Sequence, residues 1–440
     1  MFKEKRFLYI LTGSFIFGLV LLFLTKTPMQ PDSYSYDAIG LNIANGHGYT
    51  DSAGNLTMER EPLYPLFLAL VYSMFGHNYF FVQLLQILLF LATTILVYKI
   101  AGIIFKEKIA FYSMTVTAFF PTLVNYSSYI LSEALFTFLL ALVVFLGMKV
   151  YFTSRFSYYL LFGMALGLAA LCKVIMLPFL FIAVMWLILL KIKSADNKGL
   201  IIKIFAMSLI FICLTLPWMS RNYTKFGDFS LREGSLEPLC IKVQKLDYNF
   251  NDLKQSLVFI LSENLGKKVF PNAVENPRDF LFREDILVRE KILPELKSKG
   301  YSANKIKNTM IKEIMRRPVK FIAVSSIDLL KMTQFTYLPA LIDQEYLIKK
   351  ISSIRYGSLA LSLFRGVFRL LAYLMIAFSV MGMLEQKMLW RKWVFLLIVI
   401  SYVSLAYAVI YGHGRYSVPL IPYYIILSTA FVIRNKKAVS

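Results

Sequence analysis

Cysteine is almost absent: there are three in 440 residues, Cys172 and Cys213 within apolar runs and Cys240 alone in a polar stretch. No close pair exists for a disulfide framework or a thiolate zinc site. Histidine is equally scarce. His47, His77 and His413 show no H-x-x-x-H or comparable spacing, so each is read as a polar loop residue and no metal ligand set is assigned. Acids are short too, 26 against 48 Lys and Arg, for a formal charge of +22. Strand alternation, a fixed-period repeat and a low-complexity linker are missing, which argues against a barrel or an array. No phosphate-binding loop, nucleophile elbow or dinucleotide fingerprint is present.

Apolar sequence is what the chain has in quantity. Hydrophobic residues make up 58% and charged residues 17%, and the mean hydropathy is +0.61; one water-soluble core could not hide so much apolar surface. Windows of about 17 to 25 apolar residues recur from end to end, each long enough to cross roughly 30 Å of hydrocarbon as a helix. The fold class predicted is an all-α polytopic membrane protein. Many of the basic residues fall in short connections between these windows, at Lys3 to Arg6, Lys106 and Lys108, Arg155, Lys191 to Lys198, Lys387 to Lys392 and Arg434 to Lys437. That is the positive-inside pattern, and it accounts for the charge without nucleic acid.

Placing every basic connection in the cytoplasm predicts about ten transmembrane helices with both termini inside. They fall near 6–24, 79–105, 109–125, 131–152, 158–175, 177–191, 200–217, 360–384, 393–411 and 418–433. The first has a basic flank and no small-residue cleavage site after it, and is read as an uncleaved signal anchor. Residues 63–76 and 319–338 are expected as juxtamembrane helices on the outer interface. Three parts result: an N-terminal transmembrane module over 1–217 with a first outer loop at 25–78, a segment over 218–355 that is extramembrane to about 316, and C-terminal helices over 356–440. One helix is expected near 280–316.

With that topology, the unusual polar residues collect on the outer side: Asp32, Tyr36, Asp37, Arg60, Glu61, Glu133, Lys173, Arg221 and Arg415. A charge at a span centre costs about 2.5 to 3.5 kcal/mol, so those near span ends pair, line a cavity or snorkel. Asp32 and Tyr36 share a helix face at i,i+4, but Asp32 after Pro31 is also a natural helix cap. Asp37 lies on another face and is read as solvated. Glu133 is either a first-turn acid favoured by the helix dipole or one of two carboxylates doing acid/base work on an acceptor hydroxyl. Lys173 either snorkels or holds an anion. Arg415 breaks the charge rule in a short outer turn, which calls for an anion there.

Five stretches, "PDSYSY", "REPLYPLFLALVYSMFG", "SEALFTFLLAL", "PWMSRNYTKFGDF" and "GRYSVPLIPYYIIL", resemble in that order the bacterial membrane glycosyltransferases of the GT-C superfamily. The branch is that of the protein O-mannosyltransferases, the lipid A aminoarabinose transferase and the Rgt-type lipopolysaccharide sugar transferases. The likeness covers roughly 1–225 and 360–433. It implies that Asp32 and Glu133 are catalytic, and that Tyr36, Arg60, Tyr64, Lys173, Arg221, Arg415 and Tyr416 bind substrate. Two departures stand out: Ser33 replaces a second acid found in many relatives, and Glu61 replaces the first residue of a proline pair.

The resemblance further implies a polyprenyl-phosphate-sugar donor, a glycan, lipid or protein acceptor, and a bacterial cytoplasmic membrane with the site facing out. No cofactor is certain, and a divalent metal stays open. The alternative is a polytopic transporter or flippase of lipid-linked saccharides.

Overall fold

The computed structural model describes residues 2–24, 29–191, 197–234, 236–261, 263–271, 283–334 and 357–433. Among them every regular element is helical, apart from one isolated bridge between Thr50 and Leu56. The order is α1 (Phe2–Leu24), α2 (Pro31–Ala44), α3 (Leu63–Phe75), α4 (Tyr79–Ile104), α5 (Glu107–Ala118), α6 (Pro121–Tyr126), α7 (Glu133–Thr153), α8 (Phe156–Cys172), α9 (Phe179–Lys191) and α10 (Asn197–Phe226). The intervening segment carries α11 (Leu236–Lys245), α12 (Phe250–Leu261), α13 (Glu263–Val269), α14 (Arg283–Leu287), α15 (Leu293–Ser298), α16 (Ala303–Arg316) and α17 (Pro318–Lys331). The chain closes on α18 (Gly357–Glu385), α19 (Trp390–Ile410) and α20 (Ile421–Val432).

Among the described residues six helices, α1, α4, α7, α10, α18 and α19, are long and apolar enough to cross a membrane. The four other expected spans are shorter. A helix of 12 residues such as α5 or α20 rises only about 18 Å. The window at 109–125 is not one helix: Pro121, which lacks an N–H, starts α6 after a break at Phe119 and Phe120. The window at 418–433 is likewise preceded by a 3-10 stretch over Gly414–Leu420. Residues 280–316 are not one helix either. They divide into α14, a π turn at Val288–Ile292, α15 and α16, with Gly300 at φ +71° and the Ser302 cap separating the last two. The expected helix at 319–338 is α17 followed by a 3-10 turn; residues 335–338 lie outside the described residues, as do 192–196 and 434–437 of the basic connections.

Small residues set the closest packing. A Cβ on Gly163 would come within 2.3 Å of the Met207 carbonyl oxygen, so α8 and α10 meet backbone to backbone there. One large apolar core runs through the α1–α10 and α18–α20 helices, and a second, small one, Cys240, Ile241, Val288 and Ile306, holds the intervening segment together. Buried charge joins α11 to α17 within that segment, and one of its lysines also ties the segment to α19. Lys242 Nζ donates to Asp328 Oδ2 at 2.5 Å and to the Ala408 carbonyl at 2.7 Å, and Lys245 Nζ lies 3.2 Å from Asp328 Oδ1.

Candidate active site

The start of α2 is secured without Asp32: the Gln30 N–H donates to Ser33 Oγ at 3.0 Å, and Pro31 occupies the first turn. The carboxylate of Asp32 is engaged elsewhere, so the cap reading gives way to an ion network. Arg60 Nη2 stands 2.9 Å from Oδ1, and Arg415 Nη2 donates to Oδ2. Arg415 also reaches Glu133, with Nε 3.2 Å from Oε1, and Lys173 Nζ lies 3.6 Å from that same oxygen. Beside them Glu61 accepts the Val174 N–H at 3.1 Å and faces Arg232 at 3.6 Å.

Local backbone explains how these groups arrive. Glu133 opens α7, where a first-turn acid suits the helix dipole. Lys173 sits extended, at φ −146° and ψ 114°, in a break between α8 and a 3-10 turn. The Val174 N–H that the break frees is the one Glu61 takes, which is how non-helical backbone is tolerated inside an apolar body. Arg415 rides on the 3-10 stretch after α19, its own N–H donating to His413 Nδ1 at 3.2 Å. Tyr49 OH donates to the Arg60 carbonyl at 2.7 Å and fixes that loop.

Aromatic groups back the network. The Arg60 guanidinium lies 5.0 Å over the Tyr36 ring, and Tyr36 OH shares a hydrogen bond with Ser132 Oγ at 3.2 Å. Tyr416 stacks on Tyr407 with centroids 4.3 Å apart. Two expectations need correction. Tyr64 is fully buried, its hydroxyl donates to Gln86 Oε1 at 2.9 Å, and its ring packs edge-on to that of Tyr36, 4.9 Å away, so the geometry gives it a supporting place behind the network. Arg221 lies apart from the network: Nη1 donates to the Thr57 carbonyl at 2.8 Å, and the guanidinium is sandwiched among Tyr49, Trp218 and Phe226, so it braces the first loop. Asp37 is not simply solvated. It accepts hydrogen bonds from Tyr72 OH at 2.6 Å and Tyr79 OH at 2.8 Å, with His77 Nε2 at 2.9 Å, and so ties α2 to α3 and α4.

Two residues of the network were not assigned from sequence. Glu61 was grouped with the outer polar residues and noted as a departure from a proline pair but given no role, and Arg232 lies in a stretch without resemblance or apolar pattern. Asp32, Glu59, Glu61 and Glu133 face Arg60, Lys173, Arg232 and Arg415, four acids against four bases. Burial opposes ionisation of Asp32, yet Arg415 and Arg60 outweigh it and hold the carboxyl well below its ordinary range. Arg232 and Lys173 do the same for Glu61, again against burial. Oε2 of Glu133 and Oε2 of Glu61 are buried and accept no hydrogen bond from the protein.

Among the described residues no three His, Cys, Asp or Glu side chains gather closely enough to share a metal ion. The acids face guanidinium and ammonium groups instead of one another. This donor set suits an anion better than a metal cation.

Residues 59–220 match the protein family described as dolichyl-phosphate-mannose-protein mannosyltransferase. That span holds Arg60, Glu61, Glu133 and Lys173, while Asp32 and Arg415 lie outside it. The fold is shared with a solved membrane oligosaccharyltransferase. It superposes on the archaeal oligosaccharyltransferase AglB of Archaeoglobus fulgidus, solved with an inhibitory peptide and a dolichol-phosphate, with a TM-score of 0.52, 13% identity, 98% of this chain and 50% of that one covered. A second structure of the Archaeoglobus fulgidus oligosaccharyltransferase, tethered to an acceptor peptide, gives 0.53 and 14% with the same coverage. This chain thus spans about half the length of those enzymes. ArnT from Cupriavidus metallidurans, bound to undecaprenyl phosphate, aligns at a TM-score of 0.42 and 12% identity over 97% of this chain and 77% of that one. No curated protein matches the chain.

Proposed function

We propose that the chain is a glycosyltransferase that moves a sugar from a polyprenyl-phosphate donor to an acceptor hydroxyl at the outer face of a bacterial cytoplasmic membrane. The observation that carries the reading is the convergence of Asp32, Arg60, Glu133, Lys173 and Arg415, from five separate segments, into one ion network. A helix cap needs no such assembly. The dolichol-phosphate in the archaeal structure and the match of 59–220 to a mannosyltransferase family support a lipid-phosphate donor.

Chemically, the cations have two partners to choose between. In the free protein Arg60 and Arg415 neutralise Asp32, and a carboxylate so held is a poor proton acceptor. A donor phosphate entering beside them competes for the same N–H groups, Arg meeting its oxygens in bidentate fashion and Lys173 as a point charge. As the arginines turn towards the phosphate, the proton affinity of Asp32 rises. The acceptor hydroxyl then gives its proton to Asp32 while its oxygen bonds to the anomeric carbon. The bond from that carbon to the phosphate oxygen breaks, and the polyprenyl phosphate leaves with the electron pair, its charge met by Arg60, Lys173 and Arg415. Attack opposite the leaving group inverts the configuration. Glu133, with an oxygen not hydrogen-bonded by the protein, orients the sugar or the acceptor.

Burial of the prenyl chain anchors the donor equally before and during reaction, so the rate must come from groups that respond as charge moves. Asp32→Asn is expected to lower sugar transfer by about 10²- to 10⁴-fold while binding of the polyprenyl phosphate persists, measured with purified protein and a defined prenyl-phosphate sugar. Turnover like that of the wild type would remove Asp32 from the chemistry. Binding and transbilayer movement of the lipid without any transfer would favour the carrier reading.

A further inference from the structure

At the opposite ends of the same helices lies a second cationic feature, independent of the reading above. Lys149 is sixteen residues beyond Glu133 along α7, about 24 Å at 1.5 Å per residue. There a cleft of about 550 Å³ opens between α4, α5, α7 and the start of α8. Lys99 from α4 and Lys149 from α7 enter it from two sides, their Nζ atoms 5.7 Å and 5.6 Å from the centroid of a single ring, Phe145. Among the described residues neither ammonium has a carboxylate in salt-bridge range, although Glu107 also borders the cleft.

Two like charges sharing one ring repel each other, and a cation–π contact at a partly exposed site contributes only about 0.5 to 1 kcal/mol. An anion between them relieves the repulsion. The hydroxyl-bearing rings of Tyr98 and Tyr158 flank the same space, while Ile103, Phe145 and the exposed Gly102 give it an apolar floor. Lys99, Lys149, Tyr98 and Tyr158 present four polar groups from three helices. They match the several oxygens of a phosphate ester whose apolar remainder rests on the floor. The rim adds more positive charge: Phe7 packs edge-on to Tyr98 at 5.4 Å, which brings the exposed Lys5 and Arg6 of α1 to this end, and Lys106, Lys108 and Arg155 lie in the adjoining connections. Basic pockets of this kind between helices at the cytoplasmic boundary receive anionic headgroups.

We propose that this cleft is a binding site for a phosphate-bearing anion at the membrane boundary opposite the ion network, its expected source an anionic phospholipid of the inner leaflet. The purified full chain in neutral detergent is titrated with short-chain phosphatidylglycerol, with short-chain phosphatidylcholine and with inorganic phosphate, following the thermal midpoint. Phosphatidylglycerol is expected to raise the midpoint of the wild type, with phosphatidylcholine weaker. The double variant Lys99→Gln/Lys149→Gln should need roughly tenfold more phosphatidylglycerol or above for the same shift. Lys106→Gln/Lys108→Gln, the same charge removed from the rim instead of the cleft, should raise that requirement far less.

An equal response to inorganic phosphate assigns the site to a soluble phosphate compound and still supports it. Should the double variant fail to fold, Gly102→Leu makes the same test by filling the cleft, since a Cβ there meets only Ala110 at an ordinary 3.8 Å. Equal phosphatidylglycerol titrations for wild type and cleft variants, or no preference over phosphatidylcholine, would overturn the proposal. Because the cations of the ion network stay intact in every cleft variant, failure here leaves the transferase reading standing.

Discussion

A single carboxylate, that of Asp32, connects three segments, and its behaviour with pH follows from its partners. Its folded-state pKa is depressed below 3.8, so the ionised pairs contribute stability above that value and lose it as pH falls through the lower folded value. The difference in thermal midpoint between wild type and Asp32→Asn is therefore expected to stay constant from about pH 5 to about pH 9 and to change only below about pH 4. A change centred near neutrality would mean that another group titrates with the network. Spacing within one helix was enough to pair Asp32 with Tyr36, but it misjudged Asp37. Its partners Tyr72, His77 and Tyr79 come from 35, 40 and 42 residues further along the chain, a separation that helical periodicity does not register.

Breaks between helices, more than the helices, deliver the functional groups. Pro178 signals an interruption in the sequence, yet the chain leaves the α-helix at Lys173, five residues earlier, because Glu61 from another segment satisfies the N–H released there. The small residues of α8 leave room for close approach, and α10 fills it, with the Met207 carbonyl against Gly163. Gly163→Leu sets side-chain atoms against backbone that no rotamer change relieves. Overpacking of this kind costs about 1 to 3 kcal/mol, to be seen as a lower midpoint in thermal or denaturant unfolding. An unchanged midpoint would mean that α8 and α10 separate freely.

For the molecule as a whole, the segment between α10 and α18 matters through its attachment. Asp328 is fully buried between Lys242 and Lys245, and Lys242 also reaches the α19 carbonyl of Ala408, close before the stretch that carries Arg415. Removing one partner of a buried ion pair leaves uncompensated charge and costs about 3 to 5 kcal/mol. Asp328→Asn is expected to lower the thermal midpoint and to expose 236–331 to proteolysis. Retention of both the midpoint and the protease resistance would show that the segment is held by its apolar contacts. None of this attachment was visible in the sequence, where 319–338 is read only as a juxtamembrane helix.

The sequence by itself determined the class: an apolar content no soluble core could hold, basic connections that set a topology, and five short motifs in order that resemble one superfamily. Those features are local or additive, so they survive without knowledge of contacts. Only the tertiary structure decided which polar residues meet in one ion network. It brought Arg415 to Asp32 across 383 positions, withdrew Arg221 and Tyr64 into supporting roles, and added Glu61 and Arg232. The physical reason is that ion pairing and desolvation depend on distances of a few ångströms between segments far apart in the chain, and neither composition nor periodicity carries that information.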